Sequence, residues 1–298
     1  MSENIISVQN LTKDYGYNRG VFGVSLDIEK GEVFGYLGTN GSGKTTTIRH
    51  MMGFLKPDSG SVVVNGLDPW KNAPEVMRNV SYIPGEIAFP DVKTGTDFFK
   101  VQAEFLGVRD FTYMNYLIDK LGLDPSANLK RMSKGMKQKT AIVAALMGDK
   151  EILIMDEPTT GLDPLMRETF LELVREEKKK GRTVFMSSHI FEEIEDVCDR
   201  VAIIGNGKIE SVLSLSELRH GTPRNYKIVF GSRTEAEKFA CLMPEATISG
   251  KEVSLSVLAS ETDRMFKAAK DLEIVSIDES HENLEQCFMD IYQEEKRG

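Results

Sequence analysis

One segment constrains this chain more than any other: Gly38-Thr39-Asn40-Gly41-Ser42-Gly43-Lys44-Thr45. It follows an apolar run, Val33–Leu37, and precedes a helical pattern, Thr46–Phe54. Strand, glycine-rich loop and helix in that order are the context that the pattern G-x4-G-K-[ST] requires. Glycines let the backbone curl until successive N–H groups converge on phosphate oxygens, and the helix N-terminus adds a fixed partial positive charge. On this reading Lys44 reaches the β- and γ-phosphates of a nucleotide, the Thr45 hydroxyl holds Mg²⁺, and Thr46 begins the helix.

Such a loop needs a sheet behind it. Val80–Ile83, Ile152–Met155, Val184–Ser187 and Val201–Ile204, with Val33–Leu37, are short apolar runs with little polar alternation. That texture suits strands covered on both faces, and the helical patterns between them predict an α/β domain with a mainly parallel sheet. Asn65-Gly66 and Asn206-Gly207 follow strand-like runs and read as turns, the second as a hairpin, which adds an antiparallel portion. From Phe98 to Met147 the pattern is mostly helical, with polar loops at Asp110 and at 122–128. It reads as a helical insertion.

The strand Ile152–Met155 runs into Asp156-Glu157. Open α/β sheets bind ligands at the carboxyl ends of their strands, so both carboxylates are delivered to the ligand edge. Adjacent residues at a strand end point in different directions. Asp156 is the candidate for Mg²⁺ through a coordinated water. Glu157 is the candidate general base for the attacking water. Alone, such a pair is more often a solvated turn; the phosphate loop gives it weight.

With Met132-Ser133-Lys134-Gly135-Met136-Lys137-Gln138 ahead of another helix, residues 1–220 resemble the nucleotide-binding subunit of an ATP-binding cassette (ABC) transporter. The family signature is Leu-Ser-Gly-Gly-Gln. Ser133 and Gly135 are kept, while Lys134 and Met136 depart from it. Ser133 can still cap a helix whose amides face an anion, and Gly135 still permits close backbone approach. The resemblance implies a P-loop NTPase fold with a RecA-like parallel core, an antiparallel β portion and a helical subdomain at about 87–148. It also implies ATP and Mg²⁺ bound in a head-to-tail dimer, homomeric or heteromeric, with Ser133, Gly135 and Met136 closing on the partner's γ-phosphate. Gly161-Leu162-Asp163-Pro164 matches the D-loop, which would carry Asp163 across that interface. His189, after the strand Val184–Ser187, matches the switch histidine, expected to contact the γ-phosphate and orient the water and Glu157. Tyr15 matches the aromatic that stacks on adenine, with Tyr17 as a competitor.

One departure is plain. After Val80-Ser81-Tyr82-Ile83-Pro84 the family places a Gln that touches Mg²⁺ and the attacking water; here Gly85 and Glu86 follow. Gly85 has no side chain to coordinate with. Glu86 is a substitute only if the backbone shifts, so the metal candidates are Thr45, Asp156 and Glu86. The segment 87–99 is either the contact for a transmembrane partner or an ordinary helical-domain loop.

After Gly221 the texture changes. The order strand Tyr226–Phe230, helix Thr234–Leu242, strand near Ala246, strand Val253–Val257, helix Glu261–Asp271, strand Glu273–Ile277 predicts a small α+β, ferredoxin-like domain over 221–298, closed by a helix Glu282–Gln293. Ser232 with Glu235, and Ser260 with Asp263, resemble capping boxes. The family's C-terminal extensions on drug and polymer exporters resemble this one.

Composition narrows the partners. With 37 Lys+Arg against 46 Asp+Glu the net charge is -9, the wrong sign for a general nucleic-acid binder. The basic cluster Lys130, Arg131, Lys134, Lys137, Lys139 lacks an aromatic platform and does not change this. Cys198, Cys241 and Cys287 have neither disulfide-scaffold nor zinc spacing. No signal peptide and no bilayer-spanning run is visible, so the expected protein is cytoplasmic and peripheral, with its transmembrane permease on another chain. The rivals are a soluble, non-transport ABC ATPase and a nucleotide-gated module with vestigial hydrolysis.

Overall fold

Residues with no polar alternation have nowhere to go but between two covering layers, and the five apolar runs do form the central sheet. The structure, a computed structural model, describes residues 3–215, 224–258 and 261–281. Strands β3 (Val33–Leu37), β5 (Val80–Ile83), β6 (Ile152–Asp156), β7 (Thr183–Ser188) and β8 (Arg200–Gly205) lie in the order β5-β6-β7-β3-β8. All their pairings are parallel. Every residue of β3, β6 and β7 is buried. β9 (Lys208–Ser214) extends the sheet beyond β8 as a hairpin. Its turn residues Asn206 and Gly207 both take positive φ, 45° and 75°, as a type I′ turn requires.

A second sheet is three-stranded: β2 (Gly20–Glu29), β1 (Asn4–Asp14) and β4 (Ser59–Val64), all antiparallel. It shares one core with the parallel sheet, including Ile6, Val8, Ile28, Phe34, Tyr36 and Ile154. Helix α1 (Lys44–Met51) follows β3, and α2 (Ala73–Asn79) precedes β5. α1 starts two residues earlier than the helical pattern suggested, because Gly43, at φ 111°, caps it from within the loop.

Between β5 and β6 lie α3 (Gly95–Leu106), α4 (Thr112–Lys120), a short 3-10 turn at Leu129–Arg131, and α5 (Lys134–Leu146). α3 opens with a full capping box: the Thr94 side chain accepts from Asp97 N, and Asp97 Oδ2 accepts from Thr94 N. α6 (Pro164–Lys179) leads to β7, and α7 (Phe191–Val197) leads to β8.

The chain divides into two compact units, Met1–Val212 and Leu213–Gly298. In the second, β10 (Arg224–Phe230), α8 (Arg233–Leu242), β11 (Thr247–Ser249), β12 (Glu252–Val257), α9 (Thr262–Ala269) and β13 (Ile274–His281) form a wholly antiparallel sheet in the order β11-β12-β10-β13. That is the ferredoxin-like order. Tyr226, Ile228, Phe230, Phe239, Val253 and Leu255 build its core. Ser232 caps α8, accepting from Glu235 N at 3.3 Å. The Gly221 boundary, Ser260, Cys287 and the expected helix at 282–293 lie outside the described residues.

Candidate functional site

The carboxyl edge of the parallel sheet carries a cleft of about 690 Å³. Asn40, Gly41, Gly43, Lys44, Thr45 and Thr46 from the loop and α1, and Asp156 and Glu157 from the end of β6, line it. Tyr15, Gly85 and Glu86 line it too, with Asn206 and Gly207 of the β8–β9 turn. That turn braces the loop directly, since Gly207 N donates to Ser42 O at 3.0 Å. Gly38 is anchored from the other side, its N–H donating to Ser188 O at 3.2 Å.

Lys44 is almost fully buried. Its Nζ donates to Gly38 O at 2.8 Å and to Thr39 O at 3.0 Å, and lies 3.2 Å from Glu157 Oε1. An ammonium held by the loop's own carbonyls points where a phosphate would sit, with little rotamer freedom left to lose.

Asp156 is completely buried, and each of its oxygens is occupied. Thr45 Oγ1 donates to Oδ2 at 2.7 Å, and Ser187 Oγ donates to Oδ1 at 2.7 Å. Ser187 also accepts from Glu157 N at 3.0 Å. One buried hydroxyl on β7 thus orients both members of the acidic pair. The sequence reading missed Ser187; its only signal is a hydroxyl at an inward position of a fully buried strand.

Glu157 departs from the strand at φ 47°, a left-handed conformation uncommon for a non-glycine residue. The turn separates its carboxylate from that of Asp156. Oε2 lies 3.3 Å from His189 Nδ1 and accepts from Thr160 Oγ1 at 3.3 Å. Glu157 therefore stands between Lys44 on one oxygen and His189 on the other.

Gly85 sits hard against the acidic pair. A Cβ on it would come within 3.1 Å of Asp156 Oδ2. Glu86 is exposed on the cleft wall. Tyr82 joins the same wall; burial, and then the nearby Asp156 charge, push its hydroxyl up to about 12. Tyr15 is half-exposed and lines the cleft, whereas Tyr17 is 98% exposed and stands outside it.

Ser133, Gly135, Met136 and Asp163 stand outside this cleft. Ser133 caps α5, its Oγ accepting from Met136 N at 3.2 Å. Gly135 packs against the D-loop so closely that a Cβ would meet Gly161 O at 2.8 Å. Asp163 caps α6, with Oδ1 accepting from Met166 N at 3.0 Å. Gln138, also missed, is buried on α5 and donates to Pro158 O at 2.6 Å. It ties the signature helix to the residue after Glu157.

The family model described as ABC transporter matches residues 21–160. The bacitracin transport ATP-binding protein BcrA of Bacillus licheniformis is 33% identical over 81% of this chain and 79% of its own length. This chain is a member of the ABC transporter ATP-binding family. The linearmycin resistance ATP-binding protein LnrL of Bacillus subtilis (strain 168) is 30% identical over 96% of this chain and 98% of its own. Among solved structures, an ATP-binding subunit of an ABC transporter superposes with a TM-score of 0.66 at 30% identity, covering 73% of this chain and 92% of that one. The ABC cassette is an ATP-binding, ATP-hydrolysing module, and its phosphate loop and acidic pair fall within the described site. Among the described residues no helix is long and apolar enough to cross a membrane.

Proposed function

We propose that this ABC subunit hydrolyses ATP–Mg²⁺ at the interface of a head-to-tail dimer and thereby drives a separate transmembrane permease, in the direction of export. The placement of Glu157 between Lys44 and His189, at 3.2 and 3.3 Å, carries the hydrolytic reading. Tyr15 stacks on the adenine. The Gly38–Thr45 amides and Lys44 take the phosphates. Glu157 accepts the proton of the attacking water while His189 holds that water and the γ-phosphate in line. Developing charge on the phosphoryl oxygens is stabilised by Lys44 and the N-terminus of α1.

No three His, Cys, Asp or Glu side chains converge into a metal cage among the described residues. Mg²⁺ does not need one, because it keeps several waters and binds through one or two protein oxygens plus substrate phosphates. The neighbouring oxygens of Thr45 and Asp156, 2.7 Å apart, fit that donor set. Bound there, Mg²⁺ would neutralise charge on the β- and γ-phosphates. Glu86 is a weaker candidate on the same wall.

Ser133, Gly135 and Met136 are the residues that complete the partner subunit's site, and Asp163 is its D-loop contact. Their position outside the chain's own cleft supports a dimer in which each site is shared. The permease contact is assigned to an apolar groove of about 310 Å³ lined by Ile87, Phe89, Phe98, Phe105 and Leu106. Phe105 is 84% exposed there, an apolar cost that a docked helix would relieve. Export follows the relatives, whose names specify bacitracin transport and linearmycin resistance. The second unit is an accessory domain of that export-type subunit.

Co-purification from membranes tests the whole reading. A polytopic partner that recovers with the full chain and raises its ATP turnover is the expected result. Recovery only in ribosomal or DNA complexes would contradict it.

A further inference from the structure

His189 sits on a turn, and something must hold that turn still. Its neighbour Ser188 is 2% exposed and makes three separate ties. The Ser188 carbonyl accepts from Gly38 N of the phosphate loop at 3.2 Å. Its hydroxyl oxygen accepts from Ile190 N at 3.0 Å, closing the backbone around His189. The same hydroxyl donates to Glu193 Oε2 at 2.7 Å. Glu193, on α7, is 1% exposed, which an acidic side chain rarely tolerates unless it is paired. Its other oxygen, Oε1, lies 3.1 Å from Arg167 Nε, an ion pair without hydrogen-bond geometry. Arg167 belongs to the first turns of α6, and its backbone N–H donates at 2.9 Å to the carbonyl of Asp163, the cap of that helix.

We propose that Arg167, Glu193 and Ser188 form a positioning relay that fixes the pose of His189 and ties it to the start of α6. None of the three lines the nucleotide cleft, and each acts only through the residue beside it, so all three are positioning residues. The proposal rests on the reading of His189 as a hydrolytic group. A buried carboxylate that must stay beside one guanidinium while accepting from one hydroxyl has few orientations open to it, and the Ser188 hydroxyl is directed at it. Ser188 in turn sets the turn that presents His189 Nδ1 to Glu157 Oε2 at 3.3 Å. A rotation at the start of α6 would pull on Glu193 first and on His189 next. The relay therefore couples the segment around Asp163 to the hydrolytic histidine within one chain.

The test uses the full chain with ATP and Mg²⁺, in the variants Arg167→Gln, Glu193→Gln and His189→Gln. Arg167 is partly exposed, so its variant is expected to fold even if the Glu193 variant does not. Two quantities are read: kcat and KM for ATP, and the imidazole Cε1–H resonance of His189, assigned by its loss in His189→Gln. The expected result in Arg167→Gln and Glu193→Gln is a kcat lower by roughly 10- to 100-fold, the scale of a misplaced catalytic group, with KM little changed. The His189 resonance should move while that of His50, far along the chain on α1, stays. Reduced turnover with an unmoved His189 resonance would overturn the relay, because the loss would then not pass through the histidine. Unchanged kcat in both relay variants, with His189→Gln inactive, would overturn the relay alone. Full turnover in His189→Gln would overturn the relay and the hydrolytic reading together.

Discussion

Lys44 Nζ lies 3.2 Å from Glu157 Oε1 while donating to the carbonyls of Gly38 and Thr39. One ammonium thus links the phosphate loop to the carboxylate at the end of β6. The link explains why a strand, a loop and a second strand far apart in sequence act as one site. Lys44→Ala removes the charge-assisted contacts to phosphate. ATP affinity is expected to fall roughly 100-fold, the value of two such contacts. Equilibrium titration with a fluorescent ATP analogue checks this; an affinity within threefold of wild type would contradict it.

Ser187 holds both carboxylates, through Asp156 Oδ1 at 2.7 Å and Glu157 N at 3.0 Å. Ser187→Ala leaves a buried acceptor and a buried donor without their partner. It should cost about 1–3 kcal/mol of stability and lower turnover as well. Chemical denaturation and ATP hydrolysis, measured on the same preparation, check the two effects. Loss of stability with wild-type turnover would mean that Ser187 does not orient the pair.

Gly85 occupies the place of the family's Gln, where a Cβ would make a tight contact with Asp156 Oδ2. Gly85→Ala forces a Cβ to 3.1 Å from that oxygen and should raise the Mg²⁺ concentration needed for half-maximal turnover. Glu86→Gln and Glu86→Ala ask whether the next residue contributes. If both show wild-type Mg²⁺ dependence, Glu86 is not part of the metal site.

Tyr15 and Tyr17 are distinguishable by the cleft they do or do not line. Tyr15→Ala should weaken ATP binding by about 1 kcal/mol, roughly fivefold, with Tyr15→Phe restoring most of it. Tyr17→Ala should leave binding unchanged. The opposite assignment of effects would move the stacking role to Tyr17.

The helical subdomain is pinned to the cassette core by a buried charge. Glu177 of α6 is fully buried and accepts from the Tyr113 hydroxyl of α4 and from Lys180 Nζ at 2.7 Å, with Arg182 Nη1 at 2.6 Å. Burial, then the Glu177 carboxylate, push the Tyr113 hydroxyl far above its usual range, so it stays a donor at any physiological pH. Tyr113→Phe removes that donor and should destabilise the fold by about 1 kcal/mol, seen as a lower thermal midpoint. An unchanged midpoint would show that Lys180 and Arg182 satisfy Glu177 without it.

What the chain disclosed before its structure follows from which residues carry an unambiguous physical demand. β3, β6 and β7 were readable because strands buried on both faces cannot alternate. The phosphate loop was readable because few contexts need Gly41, Gly43 and Lys44 at that spacing. β1 and β2 went unnamed, since β-bulges between Val8 and Leu11 and between Leu11 and Lys13 break their period. Ser187, Gln138 and Glu193 were invisible for another reason. A serine in a strand, a glutamine in a helix and an acid in a Glu-rich run are ordinary, and only burial reveals that each is committed to one partner. The chain also showed that the family's Gln was missing; the structure adds that Gly85 lies close beside Asp156.

The central claim is that Glu157 is the base for hydrolysis and not a structural carboxylate. Glu157→Gln keeps the shape, and its amide still reaches toward Lys44 and His189, but it cannot accept the water's proton. ATP turnover of the full chain should fall by roughly 100- to 10,000-fold while ATP affinity holds. The protein should then accumulate as a nucleotide-bound dimer on size exclusion. Turnover within a few-fold of wild type, or turnover lost only because ATP no longer binds, would contradict the account.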